Sequence, residues 1–188
     1  MTLHLVRFED VPAQPWRNGG GVTRELLAWP RADDWALRVS VADITRDGPF
    51  SAFPGVERWF AVLTGEGVRL GAPSVDVVVD GDALRFDGAD APACSLRGGP
   101  TRDLNLMLRA DRVRGAMARV DGALVWPDVG GAPLLRGVFS RDGCAVSAGG
   151  RAVTLPPMSL AWSEGDEPWR GESPRAASTW ALACGPRG

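Results

Sequence analysis

Two stretches decide the fold: FAVLTGEGVRL at 60–70 and GVFSRDGCAVSAGGRAVTLPPMSLAWSEG at 137–165. The first leads through a loop into VDVVVDGDALRFDG at 75–88, then through another loop into DLNLML at 103–108. The second leads through a loop into TWALAC at 179–184. Both series read strand, glycine turn, strand, strand, two-residue break, strand, loop, strand. The breaks are Gly81-Asp82 and Pro156-Pro157. The likeness is one of order and spacing rather than identity. Short antiparallel strands with a turn signal roughly every eight to twelve residues suit a jelly roll. The expected fold is therefore all-β, with two packed jelly-roll β-barrel halves in one chain. Their expected bounds are 1–110 and 111–188, the second half being the smaller. The seam falls near Ala110–Val113, where nothing resembles a free linker, so close packing of the halves is expected.

Composition agrees. The 188 residues include 24 Gly and 15 Pro, well above the roughly 12% of average usage, and that many breakers disfavour long helices. No amphipathic helix of three turns is visible, only short helical turns near Val11 and Arg112. The net charge of -2 argues against a broad nucleic-acid surface. All 21 basic residues are Arg, so no Lys Schiff base is available, and the single His rules out a multi-histidine metal site. Cys94, Cys144 and Cys184 are widely spaced and read as buried free thiols of a reducing compartment. MTLHLVRFED has no cationic run followed by an apolar one. No run of 18 apolar residues occurs. A cytoplasmic protein without membrane contact is expected.

Alternation supplies further strands. Trp35, Leu37, Val39 and Val41 alternate with Ala36, Arg38, Ser40 and Ala42, the pattern of a half-buried strand. Leu104, Leu106 and Leu108 alternate with Asn105, Met107 and Arg109. Strands are also expected over 134–139, 145–148, 152–155, 160–162 and 179–183. His4, in an N-terminal strand, reads as solvent-facing or locally satisfied.

Three stretches carry candidate chemistry. PWRNGGGVTRE at 15–25 sets Asn18, Thr23, Arg24 and Glu25 around three glycines. It serves either as a glycine turn entering a strand or as a loop that a ligand approaches closely. RVSVADITRDGPFSAFPGVER at 38–58 combines Arg38, Ser40, Asp43, Ser51 and Arg58 with the apolar loop Phe50, Phe53 and Pro54. That is the composition of a small-ligand pocket, and the planar fork of Arg suits a carboxylate. The alternative is surface pairing of Arg38 and Arg58 with Asp43, Asp47 or Glu57. In TRDLNLMLR at 101–109, Asn105 points either into the barrel or to solvent. Trp16, Trp29, Trp35 and Trp59 fall around these motifs, and one of them is a candidate pocket wall. Nothing forces Glu25, Asp43, Asp47 and Glu57 to converge as an acid–base pair.

These motifs resemble the HutD family, which includes proteins called Ves. The residues that carry the resemblance are PWRNGGGVTREL, WALRVSVADITRDGPFSAFPGVERWFAVLTGEG, LRFDG and GPTRDLNLMLR, spanning about 3–109. The resemblance implies a cupin-like architecture, two jelly-roll halves forming a bicupin. Cupins often hold a metal through two His- and Glu-rich motifs. The corresponding stretches here, Gly67–Phe86 and Pro100–Asn105, contain no His, so neither metal nor cofactor is expected. The resemblance further implies a governor of histidine utilisation that binds a pathway intermediate. The candidates are N-formyl-L-glutamate, urocanate or formate.

The expected ligand site is Asn18, Thr23, Arg38, Ser40, Asp43, Ser51, Arg58 and Asn105, with Arg38 and Arg58 clamping carboxylates. The alternatives are a metal-independent hydrolase or isomerase using Glu25 or Asp43 as base, and a stress-associated protein-interaction module presenting Phe50–Pro54. A monomer or homodimer is expected, with a small carboxylate as its partner.

Overall fold

The computed structural model describes residues 2–166, 169–173 and 178–187. The alternating runs become strands and the glycine and proline breaks become their turns. Contacts divide the chain into two β units, Pro12–Asp111 and Met1–Val11 with Arg112–Gly188.

The Pro12–Asp111 unit has a six-stranded sheet. Its order is Gln14–Pro15, Gly21–Trp29, Leu37–Ile44, Thr101–Arg109, Val56–Thr64, Leu84–Asp87. A four-stranded sheet runs Gly48–Pro49, Ala93–Leu96, Val68–Leu70, Val75–Val77. Between them sits a core of Ile44, Phe50, Phe60, Val62, Val68, Leu70, Val77 and Cys94.

The other unit has a five-stranded sheet, His4–Arg7, Ser159–Glu164, Leu135–Ser140, Thr179–Pro186, Val113–Arg119. Its three-stranded sheet runs Arg151–Leu155, Cys144–Ala148, Trp169–Glu172. Val138, Val146, Leu155, Ala161 and Trp169 belong to its core.

The repeat is one of topology. In the first series, Val56–Thr64 pairs with Leu84–Asp87 and with Thr101–Arg109 in the larger sheet. Val68–Leu70 pairs with Val75–Val77 and Ala93–Leu96 in the smaller one. In the second series, Leu135–Ser140 pairs with Ser159–Glu164 and Thr179–Pro186. Cys144–Ala148 pairs with Arg151–Leu155 and Trp169–Glu172. Six strands therefore run in the same order between equivalent sheets in both units.

Three expectations change. The 1–110 and 111–188 bounds give way at the N-terminus, because His4–Arg7 is the edge strand beside Ser159–Glu164. His4 faces Trp162 in register there, and the two rings stack 4.1 Å apart. The helical turn near Val11 is a 3-10 turn at Phe8–Asp10, whereas Arg112 lies in a plain turn. The strand around Val39 is buried on both faces rather than one, with Leu37, Val39 and Val41 at no more than 1% exposure and, on the opposite face, Ser40 and Ala42 at 4%. Cys94, Cys144 and Cys184 are all free and buried. No helix among the described residues is long and apolar enough to cross a membrane.

The triple glycine serves the backbone. Gly19 has φ +66° and turns the chain, with its N–H donating to the Trp16 carbonyl. Gly20 N–H donates to Asn18 Oδ1 at 3.0 Å, and Gly20 O accepts from Thr45 N–H at 2.9 Å. Gly21 lies so close to the neighbouring strand that a Cβ would run into the Asp43 carbonyl oxygen. Gly21→Ala should therefore cost about 1–3 kcal/mol, seen as a lower Tm. Gly48→Ala, where a Cβ meets nothing within 4 Å, should stay within about 0.5 kcal/mol of wild type.

Candidate functional site

Strand register builds the site. Across the six-stranded sheet, Arg38 lies opposite Met107, which lies opposite Arg58. One step along the same face, Ser40 lies opposite Asn105, which lies opposite Phe60. On the other side Glu25 is opposite Ser40 and Thr23 opposite Ala42. Side chains alternate along a strand, so these residues share one face. A cavity of about 430 Å³ opens over that face. Phe50, Ser51 and Phe53 line it from the adjoining loop, and Trp16, Arg17 and Asn18 from the glycine loop.

Arg58 is the chemical centre. Its side chain reaches into the core and the residue is 7% exposed. Its guanidinium carbon lies 4.8 Å from the Phe50 ring centre, 5.1 Å from Phe86 and 5.9 Å from Phe53. Nη2 donates to Asn105 Oδ1 at 2.8 Å, and the buried Nε has no partner. No carboxylate among the described residues forms an ion pair with it. Burial, and then the like charge of Arg38, pull its pKa down to about 10. It stays charged at neutral pH, in a setting that penalises the charge.

Arg38 is differently placed. Its Nε lies 2.8 Å from Glu25 Oε2, an ion pair in which the N–H is not aimed at the oxygen. Its guanidinium also sits 5.3 Å from the Trp35 ring centre.

Seven of the eight expected residues line this cavity: Asn18, Thr23, Arg38, Ser40, Ser51, Arg58 and Asn105. Two of them hold the glycine loop. Thr23 Oγ1 accepts from Trp16 Nε1 at 2.8 Å, and Asn18 Oδ1 holds Gly20 N–H. The Ser40 hydroxyl makes no hydrogen bond among the described residues, and Ser51 stands exposed at the rim.

Asp43 is a correction. It falls one position off the cavity face and takes a bidentate pair from Arg102, at 2.6 and 3.2 Å, with Arg24 at 3.5 Å. The acids do not converge. Asp47 accepts from the Leu96 N–H, and Glu57 pairs with Arg85 and accepts from Trp59 Nε1. Phe50 is buried in the cavity wall rather than displayed as an apolar patch.

The sequence reading missed Arg17 and Asp103. Arg17 lay inside the quoted glycine stretch. Asp103 shares the parity of Asn105 on Thr101–Arg109, and that parity was the available signal. Asp103 is 0% exposed, with Thr101 Oγ1 donating to Oδ2 at 2.8 Å and Oδ1 unpartnered.

A cupin metal does not fit this cavity. Its charged lining is Arg17, Arg38 and Arg58, which repels a cation. Among the described residues no three His, Cys, Asp or Glu side chains gather.

The family described as HutD matches residues 8–181. A Pseudomonas putida protein described as an uncharacterised 21.2 kDa protein in the hutC 3′ region is 40% identical over 125 residues. That match covers 64% of this chain and 65% of the relative. Protein Ves of Citrobacter koseri is 36% identical over 118 residues, covering 61% and 62%. The chain thus spans less than two thirds of the length of these two curated relatives.

Three solved structures are also similar. A conserved protein of unknown function from Pseudomonas aeruginosa PAO1 has TM-score 0.84 at 30% identity, covering 98% of this chain and 99% of that one. HutD from Pseudomonas fluorescens SBW25, solved in a formate condition, has TM-score 0.82 at 25% identity over 100% of both chains. A cupin 2 conserved barrel domain protein from Leptotrichia buccalis has TM-score 0.52 at 10% identity, covering 98% and 96%. It shares the fold alone, and the architecture is cupin-like.

Burial, opposed by the Thr101 hydrogen bond and reinforced by Asp43, pushes the Asp103 carboxyl up to about 8. An acid whose folded pKa is raised is ionised first in the unfolded chain. Its effect is absent below pH ~4, and stability is lost as pH rises from about 4 to about 8. Relative to Asp103→Asn, wild type should lose up to about 1.4 kcal/mol per pH unit in that window. Denaturant titrations at pH 5, 6, 7 and 8 check this. A constant difference between the two proteins would place Asp103 outside the titration.

Proposed function

Because the chain belongs to the HutD family, we propose that it is a histidine-utilisation-associated, cupin-like protein whose cavity binds a small carboxylate and so limits the pathway's output. One observation carries this reading. Arg58 is a buried, charged guanidinium with an unpartnered Nε and no counter-anion among the described residues. A buried cation without a partner is strongly unfavourable. A planar carboxylate entering from the cavity offers the missing charge and accepts the free N–H groups.

Neighbouring groups suit such a guest. Phe50 and Phe53 give apolar walls, while Ser40 and Asn105 offer polar contacts to the rest of the molecule. The paired clamp by Arg38 and Arg58 gives way to a single carboxylate seat at Arg58, since Arg38 is held by Glu25. The hutC-region relative supports the tie to histidine utilisation. Formate, urocanate and N-formyl-L-glutamate are the acids to test.

The test is a thermal-shift titration with each acid on wild type and Arg58→Met. At 100 times its Kd a ligand adds about 2.7 kcal/mol, a rise of several degrees for a chain of this size. Wild type should shift with at least one acid. Arg58→Met should keep or raise the ligand-free Tm, having lost a buried unpaired charge, and should not shift. An unchanged shift in Arg58→Met would remove Arg58 from the site. No shift in wild type would end the carboxylate reading.

A further inference from the structure

We infer that Glu25 is a specificity-determining residue that restricts the cavity to acids carrying one carboxylate. The inference rests on the carboxylate reading above and names the charge class of its ligand. Of the two arginines deep on the cavity face, Arg58 has no carboxylate partner and Arg38 has Glu25 at 2.8 Å. The strand register fixes that pairing, with Glu25 opposite Ser40 and Ala28 opposite Arg38 on neighbouring strands. Both side chains of the pair are largely shielded, at 20% and 24% exposure, so salt screens their charges poorly.

The consequence is a count of charges. Arg58 takes one carboxylate. The Arg38–Glu25 pair is neutral as a unit, so it offers N–H donors without net attraction for an anion. A second carboxylate on Arg38 would lie beside the Glu25 carboxylate in a shielded setting, where like charges repel strongly. An amide, formyl or hydroxyl oxygen accepts the same N–H groups without that repulsion. Arg17 stands exposed at the rim, where solvent and salt weaken its pull on a distal charge. The preferred guest is therefore a small monocarboxylate with a neutral hydrogen-bonding tail. Dianions of the same size are disfavoured.

Glutaramate and glutarate test this directly, because they are nearly isosteric and differ by one charge. Calorimetric titration at near-physiological salt should show wild type binding glutaramate roughly tenfold or more tighter than glutarate. Glu25→Gln should shrink that ratio about tenfold or more, chiefly by strengthening glutarate, and Glu25→Ala should move it the same way. The wild-type ratio needs no variant, so it decides the matter even if both variants unfold. Glutarate binding wild type as tightly as glutaramate would overturn the inference while leaving the carboxylate reading intact. So would a ratio unmoved in a folded Glu25 variant. If neither probe nor formate binds wild type, the carboxylate reading fails and this inference falls with it.

Discussion

A guanidinium largely shielded from water without a counter-anion is unfavourable by several kcal/mol, and the Pro12–Asp111 unit is arranged around holding one. Arg58 extends from a central strand, so its backbone is fixed on both sides by Thr101–Arg109 and Leu84–Asp87. Three aromatic rings surround its head and Asn105 takes one N–H. Asn105 stands directly opposite Ser40, and Arg38, paired with Glu25, adds further N–H donors to the same face. The cavity, its polar floor and its aromatic wall all follow from that placement.

Much of this was legible because strands write their faces at every second residue. The parity of Arg38, Ser40 and Asn105 puts them together once their strands pair, and the repeated order of strands gave the two-unit architecture. Other features had weaker signals. Ala93–Leu96 and Trp169–Glu172 are four-residue strands inside stretches that read as loops, and Val113–Arg119 carries Gly, Ala and Arg in place of an apolar alternation. Leu37, Val39 and Val41 looked like the single buried face, because a strand lining a polar cavity has the same pattern as one facing water.

The partner of each charge was the least legible part. Arg38 was weighed against Asp43, Asp47 and Glu57, yet a neighbouring strand delivers Glu25. Asp43 went instead to Arg102, its direct cross-strand neighbour. Spacing along the chain does not specify which strands lie side by side, and register decides every such pair. The three glycines illustrate the same point. Their composition fits a ligand loop, but the Asp43 carbonyl beside Gly21 and the turn at Gly19 account for them through the backbone.

The edge position of His4–Arg7 bears on how the chain comes to be folded. During synthesis the residues of Pro12–Asp111 emerge in one continuous block, and every strand of that unit is available once the block has left the ribosome. The other unit draws its strands from both ends of the sequence. Residues 4–7 pair with 159–162, which are made more than a hundred residues after them. Until then they have no native partner, and closing so long a loop adds an entropic cost that grows only slowly with length. The cavity-bearing unit can thus form early, whereas the five-stranded sheet waits for nearly the whole chain. Ser159–Glu164 presents an open sheet edge, the kind that invites pairing with another chain, until His4–Arg7 docks against it.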